Sequence, residues 1–152
     1  VLNLREYQPE DFERLLEIDT ACFAEGIAYS VREMRHFLSL RTAARIVGEL
    51  NGQIQGFIIA DRFRTRRSDE WMGQIITIDV VKDARRSGLG SRLLSAAEEK
   101  LKAGGCAYVS LEVAVDNLSA MRFYKKYGYT GLKILPRYYL DSIDALLMGK
   151  KL

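Results

Sequence analysis

Ile75-Ile76-Thr77-Ile78-Asp79-Val80-Val81-Lys82-Asp83-Ala84-Arg85-Arg86-Ser87-Gly88-Leu89-Gly90 is the stretch that decides the fold. Its first half is apolar and β-branched, as a buried strand requires. A polar turn follows, and Arg85-Arg86-Ser87-Gly88-Leu89-Gly90 leads into a helical pattern from Ser91 to Ala103. Leu89, Leu93, Ala97 and Leu101 recur there at every fourth position, the spacing of one helix face. A strand feeding a glycine-bearing turn that opens a helix presents unpaired backbone N–H groups at the positive end of a helix dipole. Glycines let phosphate approach that backbone closely, so this turn is expected to hold the pyrophosphate of a cofactor.

Downstream, Gly104-Gly105 ends the helix and Tyr108 to Val113 reads as a buried strand. Strand, helix, strand in this order implies a right-handed crossover to a parallel neighbour. Asp116-Asn117 caps a further helix, with Ala120, Phe123, Tyr124 and Tyr127 on one face and Gly128 as its stop. Tyr129 to Leu135 and Ala145 to Lys150 are expected as antiparallel strands joined by a loop from Pro136 to Asp144. Upstream, Leu2 to Arg5 alternates like a strand, and Gln8-Pro9-Glu10-Asp11 starts a helix carrying Phe12, Leu15, Leu16, Asp19 and Phe23. Ser30-Val31-Arg32-Glu33 is a capping-box pattern opening a second helix with Met34, Phe37 and Leu38. Ala43 to Leu50 and Ile54 to Phe63 are strands around the hairpin dipeptide Asn51-Gly52, and Trp71 to Val81 is the third strand of this meander. The expected order is β-α-α-β-β-β-α-β-α-β-β, with no repeat or linker dividing residues 1–152 into more than one domain.

The totals agree. A chain of 152 residues, 48% hydrophobic, can bury one core. The net charge of +3 is too small to imply nucleic-acid binding, yet suits an anionic ligand. Cys22 and Cys106 lack metal or redox spacing and read as free thiols of a reducing compartment; with a single histidine, no metal site is expected. No run approaches the roughly 20 apolar residues of a membrane span, and no leader pattern opens the chain, so a cytoplasmic protein without membrane contact is expected.

The turn excludes two common phosphate sites. A dinucleotide fingerprint needs a third glycine where Leu93 stands, and a P-loop needs a lysine after Gly90. R-x-x-G-x-G after a strand remains. Together with Leu111-Glu112-Val113, Asn117, Phe123-Tyr124 and Tyr127-Gly128-Tyr129, that turn resembles the GNAT acetyltransferase superfamily. The spacing is similar to its RimI-like ribosomal-protein alanine N-acetyltransferase branch and the related protein N-terminal acetyltransferases, and Arg137-Tyr138-Tyr139 continues the likeness. The resemblance implies an α+β, three-layer α/β fold. Its mixed, mostly antiparallel sheet has about seven strands, with four helices and one splayed parallel pair. It also implies acetyl-CoA as cofactor: backbone at Ile78, Asp79 and Val80 for pantetheine, Arg85, Arg86, Ser87, Gly88, Leu89, Gly90 and Ser91 for the phosphates, and Asn117 as a further contact.

Amine acetylation needs a neutral nucleophile and a proton for the departing thiolate. Glu112 is a carboxylate inside an apolar strand, on the face shared with Ser110; it reads as a core acid paired to an arginine, as an acid facing water at the end of the sheet, or as a working base. The resemblance implies the base. Tyr124 reads as core by spacing, and the resemblance implies the general acid. Tyr138 and Tyr139 are implied to face the acceptor, with Phe23 and Tyr29 as the opposing wall. Here the chain departs from the family, which commonly shows Pro-Trp-Ser where Ala28-Tyr29-Ser30 stands. The expected acceptor is a protein or peptide N-terminal amine, with ribosomal protein as one candidate. A small amine such as a polyamine or antibiotic, or a non-catalytic acetyl-CoA-sensing module, is the alternative. Arg62, Arg64, Arg66 and Arg67 form a basic cluster that reads as a solvated loop or as a ribosome-docking patch.

Overall fold

The computed structural model describes residues 1–67 and 69–152. Its elements follow the expected order: β1 (Leu2–Glu6), α1 (Phe12–Cys22), α2 (Val31–Leu38), β2 (Ala44–Leu50), β3 (Gln53–Arg64), β4 (Trp71–Val80), α3 (Leu89–Ala103), β5 (Cys106–Ala114), α4 (Leu118–Lys126), β6 (Thr130–Tyr139) and β7 (Ile143–Lys151). Short 3₁₀ turns at Pro9–Asp11 and Lys82–Ala84 precede α1 and α3. The strands form one seven-stranded sheet in the order β1-β2-β3-β4-β5-β7-β6. Every neighbouring pair is antiparallel except β4 with β5, as one crossover through α3 dictates.

Local chemistry sets the element ends. Asn51 and Gly52, at φ 53° and 82°, make the β2–β3 turn in the left-handed region that an Asn-Gly hairpin demands. Ser30 Oγ accepts from the Glu33 amide at 3.1 Å while Glu33 Oε1 accepts from the Ser30 amide at 3.0 Å, so both ends of the capping box are closed.

Two apolar layers flank the sheet. On one face α3 and α4 pack Leu89, Leu93, Leu94, Ala97, Leu101 and Tyr124 against Ile46, Ile58, Ile75, Val109, Leu111 and Met148. On the other, α1 and α2 bring Leu15, Ile18, Met34 and Leu38 onto Val47, Phe57 and Ile59. Leu89 lies directly over Gly48 and Gly56: a β-carbon on Gly48 would collide with its side chain, and one on Gly56 would stand 2.8 Å from the Asp79 carbonyl and 3.2 Å from Leu89. These missing β-carbons let the N-terminal end of α3 sit close on the sheet beside β4.

Two expectations need correction. The helix opens at Leu89, not Ser91, so Gly88 is its N-cap and Gly90 belongs to its first turn. The expected loop from Pro136 to Asp144 is mostly strand, since β6 runs to Tyr139 and β7 starts at Ile143. The register passes from Leu135↔Ala145 to Tyr139↔Ile143, so residues 136–138 bulge against Asp144 alone. Proline cannot donate to a ladder, and Arg137, at φ 51°, gives its amide to Asp144 Oδ1 at 2.9 Å instead.

Candidate active site

β4 and β5 pair only over Trp71↔Cys106, Met72↔Tyr108, Gly73↔Val109 and Gln74↔Ser110. Past Gln74 and Ser110 they part. β4 stays bound to β3 as far as Gly56↔Val80, and β5 stays bound to β7 as far as Ala114↔Ala145. Each strand therefore turns one unpaired edge towards the other. The parting follows a bulge: Thr77 faces Ile59 and Ile75 faces Ala60, which leaves Ile76 as an extra residue on β4. Beyond it, the Val81 amide donates to Gln55 O at 2.9 Å and Asp79 lies opposite Phe57. Antiparallel alternation then points the backbone groups of Ile78 and Val80 into the opening.

Side chains already meet some carbonyls of the opening. Val80 O accepts from Arg85 Nε at 3.1 Å and from the Cys22 thiol at 3.5 Å; Ile76 O accepts from the Tyr29 hydroxyl at 3.2 Å. Arg85 is thus turned towards β4, a placement its motif position did not reveal.

The glycine turn closes one end of the opening. Arg86 and Gly88 take φ 72° and 89°, and α3 starts directly after them. Ser87 Oγ accepts from the Leu89 amide at 3.2 Å and the Arg92 amide reaches Gly88 O at 3.2 Å. The amides of Arg86, Gly88, Gly90 and Ser91 make no hydrogen bond to the described residues. Unpaired donors at the N-terminus of a fifteen-residue helix fit a pyrophosphate, and the unpaired β4 edge fits an extended amide-bearing chain. Asn117 stands nearby in sequence to β5 but spends its side-chain oxygen on capping α4, accepting from the Ala120 amide at 3.2 Å.

Glu112 lies half-buried on β5, on the α1/α2 side of the sheet, while Leu111 and Val113 point into the α3 core. Gln74 Nε2 stands 3.4 and 3.5 Å from its two oxygens. No arginine pairs with Glu112 among the described residues, so the core ion pair is not what the structure builds. Tyr124 comes from α4, its ring packed edge-on against Phe123 and Tyr129 at 5.5 and 5.7 Å. Its hydroxyl bonds to none of the described residues. Burial, then the neighbouring Asp79 and Tyr139, push this phenol well above its ordinary range, so it holds its proton.

Tyr138 and Tyr139 meet edge-on at 4.9 Å, and the Tyr139 hydroxyl donates to Glu112 O at 3.4 Å. Burial, Tyr138 and Glu112 push Tyr139 up to about 12. Tyr29 is held from both ends, its hydroxyl on Ile76 O and its amide on Asp19 Oδ2 at 2.7 Å, with its ring 4.9 Å from Phe37. Phe23 caps α1, half-buried at the head of the same segment. That segment touches the β6–β7 turn, where Leu140 fills the space beside Gly26 that a β-carbon would take. The two expected acceptor walls therefore meet. Sequence reasoning missed Gln74, whose only signal was a polar residue amid an apolar strand, and the buried carboxyls of Asp19 and Asp79.

The arginine cluster divides. Arg62 and Arg64 lie over the Trp71 ring at 4.2 and 4.4 Å, with Arg62 also bonded to Gly104 O and Arg64 to Asp69 at 3.3 Å. Arg66 and Arg67 are exposed. No helix is long and apolar enough to cross a membrane, among the described residues.

Comparison with known proteins fits this geometry. The profile of the acetyltransferase (GNAT) family matches residues 12–129. An uncharacterized N-acetyltransferase of Methanocaldococcus jannaschii is 34% identical over 97% of this chain and 90% of its own length. N-alpha-acetyltransferase 30 of Schizosaccharomyces pombe is 32% identical over 77% of each chain. The crystal structure of Ard1 from Thermoplasma volcanium superposes with a TM-score of 0.87 at 30% identity, covering 99% of this chain and 97% of the other. Profile, relatives and superposition agree with the parted sheet and its glycine turn: the chain belongs to the acetyltransferase (GNAT) family, whose enzymes transfer acetyl groups from acetyl-CoA to amines.

Proposed function

We propose that this enzyme acetylates the N-terminal α-amine of a protein or peptide, with Glu112 as base and Tyr124 as acid. The observation that supports the reading is the parting of β4 from β5 past Gln74 and Ser110, with Glu112 on the parted stretch of β5 and no arginine paired to it among the described residues. Relatives named N-alpha-acetyltransferase, in Schizosaccharomyces pombe and in Sulfurisphaera tokodaii at 28% identity, support the choice of amine.

When bound, acetyl-CoA supplies an activated acetyl thioester. The backbone of Ile78, Asp79 and Val80 would hold its pantetheine arm. The turn from Arg85 to Ser91 would hold the phosphates, with the amides of Arg86, Gly88, Gly90 and Ser91 as donors and the Asn117 side-chain NH₂ as a further one. Glu112 removes the proton that keeps the acceptor an ammonium, directly or across one water. The Val80 amide would be available to the carbonyl oxygen as it gathers charge. As the amine adds to the thioester carbonyl and the carbon–sulfur bond breaks, Tyr124 would give its phenolic proton to the departing sulfur and would be reprotonated by the second proton that the nitrogen sheds on becoming an amide. Tyr29, Tyr138 and Tyr139, with Phe23 behind, orient the first residues of the peptide. Docking on a ribosome would fall to Arg66 and Arg67, since Arg62 and Arg64 cover Trp71, and would show as salt-sensitive association.

The test is thiol release from acetyl-CoA across peptides that vary in their first two residues, with polyamines and N-blocked lysine peptides alongside. Turnover is expected on free N-terminal peptides. Turnover confined to polyamines would overturn the reading.

A further inference from the structure

Asp19 and Asp79 are 0% and 1% exposed, one on α1 and the other on β4 between Ile78 and Val80. The two carboxyls lie side by side between α1 and β4, each close enough to act on Cys22 and Tyr29. Among the described residues neither Asp19 Oδ1 nor Asp79 Oδ2 has a hydrogen-bond partner, while Asp19 Oδ2 accepts from the Tyr29 amide and Asp79 Oδ1 from Thr77 Oγ1 at 2.5 Å. Two carboxylates cannot bond each other without a proton between them, and two buried anions in contact would repel strongly.

We propose that Asp19 and Asp79 share one proton, and that this proton latches the segment carrying Phe23 and Tyr29 onto β4, making the pair a positioning device for the acceptor site. The acceptor role rests on the function proposed above; the shared proton does not. The latch joins three contacts in a row along β4. Tyr29 reaches Ile76 O, Asp19 reaches Asp79, and Cys22 reaches Val80 O. The last two come from α1 and the first from the segment that follows it. The groups facing the pair are Cys22 on α1, Tyr29 beyond it, Thr77 on β4, Arg85 of the glycine turn and Tyr124 on α4. Only Arg85 brings positive charge, and its guanidinium is occupied with Val80 O. Burial and the Asp19 carboxyl hold Asp79 well above the carboxylate range.

The sign of the pH effect follows. Folding retains a proton that the unfolded chain releases near pH about 4, so the folded form loses relative stability as pH climbs from there towards the folded value. In Asp79→Asn an amide N–H donates to Asp19 and replaces the shared proton. Thermal unfolding of wild type between about pH 5 and pH 8 should therefore fall at least about 3 °C further than that of Asp79→Asn. In kinetics, the peptide KM of wild type should rise with pH more steeply than that of Asp79→Asn, since the peptide amine titrates alike in both. Asp19→Ala, which also frees the Tyr29 amide, should raise the peptide KM about tenfold and leave the acetyl-CoA KM within about twofold. Parallel unfolding profiles for wild type and Asp79→Asn would overturn the shared proton. A pH-dependent gap in unfolding with no peptide turned over would leave the proton standing and remove the acceptor. An unchanged peptide KM in Asp19→Ala would overturn the latch.

Discussion

Replacing Tyr124 with Phe removes one oxygen from the wall of the opening and leaves the ring. The ring carries the packing: it is buried against Phe123 and Tyr129 at 5.5 and 5.7 Å, and Phe preserves those contacts. The hydroxyl bonds to none of the described residues, so its loss breaks no hydrogen bond of the kind worth about 0.5–1.5 kcal/mol. Stability should change by less than about 0.5 kcal/mol, about 2 °C or less in melting temperature for a chain of this size. Catalysis should respond differently. A positioned general acid contributes about 10²- to 10⁴-fold, or about 2.7–5.5 kcal/mol at the barrier. The variant should accordingly lose at least about 100-fold in kcat, with both KM values within about threefold, because the lost proton donor acts only as the thiolate departs. Thiol release measured under saturating peptide, beside thermal unfolding of the same preparation, reads both quantities. Wild-type kcat in a folded Tyr124→Phe would refute the assignment. A kcat loss that comes with a melting temperature several degrees lower would mean that the hydroxyl holds structure rather than supplying a proton.

Glu112→Gln keeps the shape beside Gln74 and removes the base, so kcat should fall about 100-fold or more while the unfolding midpoint stays in place. Gly88→Ala puts a β-carbon on a residue at φ 89°; thermal unfolding should show a loss of about 1–2 kcal/mol, and titration with CoA a weaker affinity. Gly56→Ala presses on Leu89 and on the Asp79 carbonyl, and denaturant unfolding should show about 1–3 kcal/mol lost. Tyr139 carries a phenol raised to about 12, so folding keeps a proton that the unfolded chain sheds near pH about 10. Its contribution is whole below that pH and disappears as pH rises to about 12, and Tyr139→Phe should flatten the decline of unfolding free energy across that window.

What was legible in the sequence is what local chemistry decides. Asn51-Gly52 can do little but turn a hairpin, Ser30 and Glu33 specify each other, and four apolar residues at every fourth position commit α3 to one face. Glu112 could be picked out because a lone acid in an apolar strand needs a reason. The rest depended on distance in sequence. Ile76 carries no mark of being the extra residue of a bulge, because the mismatch exists only against Ile59 and Ala60 on another strand. Gly90 looks like a helix breaker, yet it lies inside the first turn of α3, with Phe123 of the distant α4 at contact distance from where its β-carbon would be. Pro136 argued for a loop, yet an edge strand can bulge around proline when Asp144 accepts the next amide. Asp19 and Asp79, sixty positions apart, each looked like a single polar residue among apolar ones; only the fold sets them together.

The brevity of the β4–β5 pairing has a mechanical meaning. Among the described residues, four register pairs join β5, β7 and β6 to the other strands, against seven between β5 and β7 and nine between β3 and β4. The sheet is two leaves hinged at Trp71 to Gln74, with helices bridging the seam. A ligand lying between the leaves completes their hydrogen bonding and acts as a stitch. Present at a hundred times its dissociation constant, it adds about 2.7 kcal/mol to folding. Hydrogen exchange along Ile78 to Val80 and Leu111 to Ala114 should therefore slow with rising coenzyme, and the lifetime of the folded protein becomes tied to its supply.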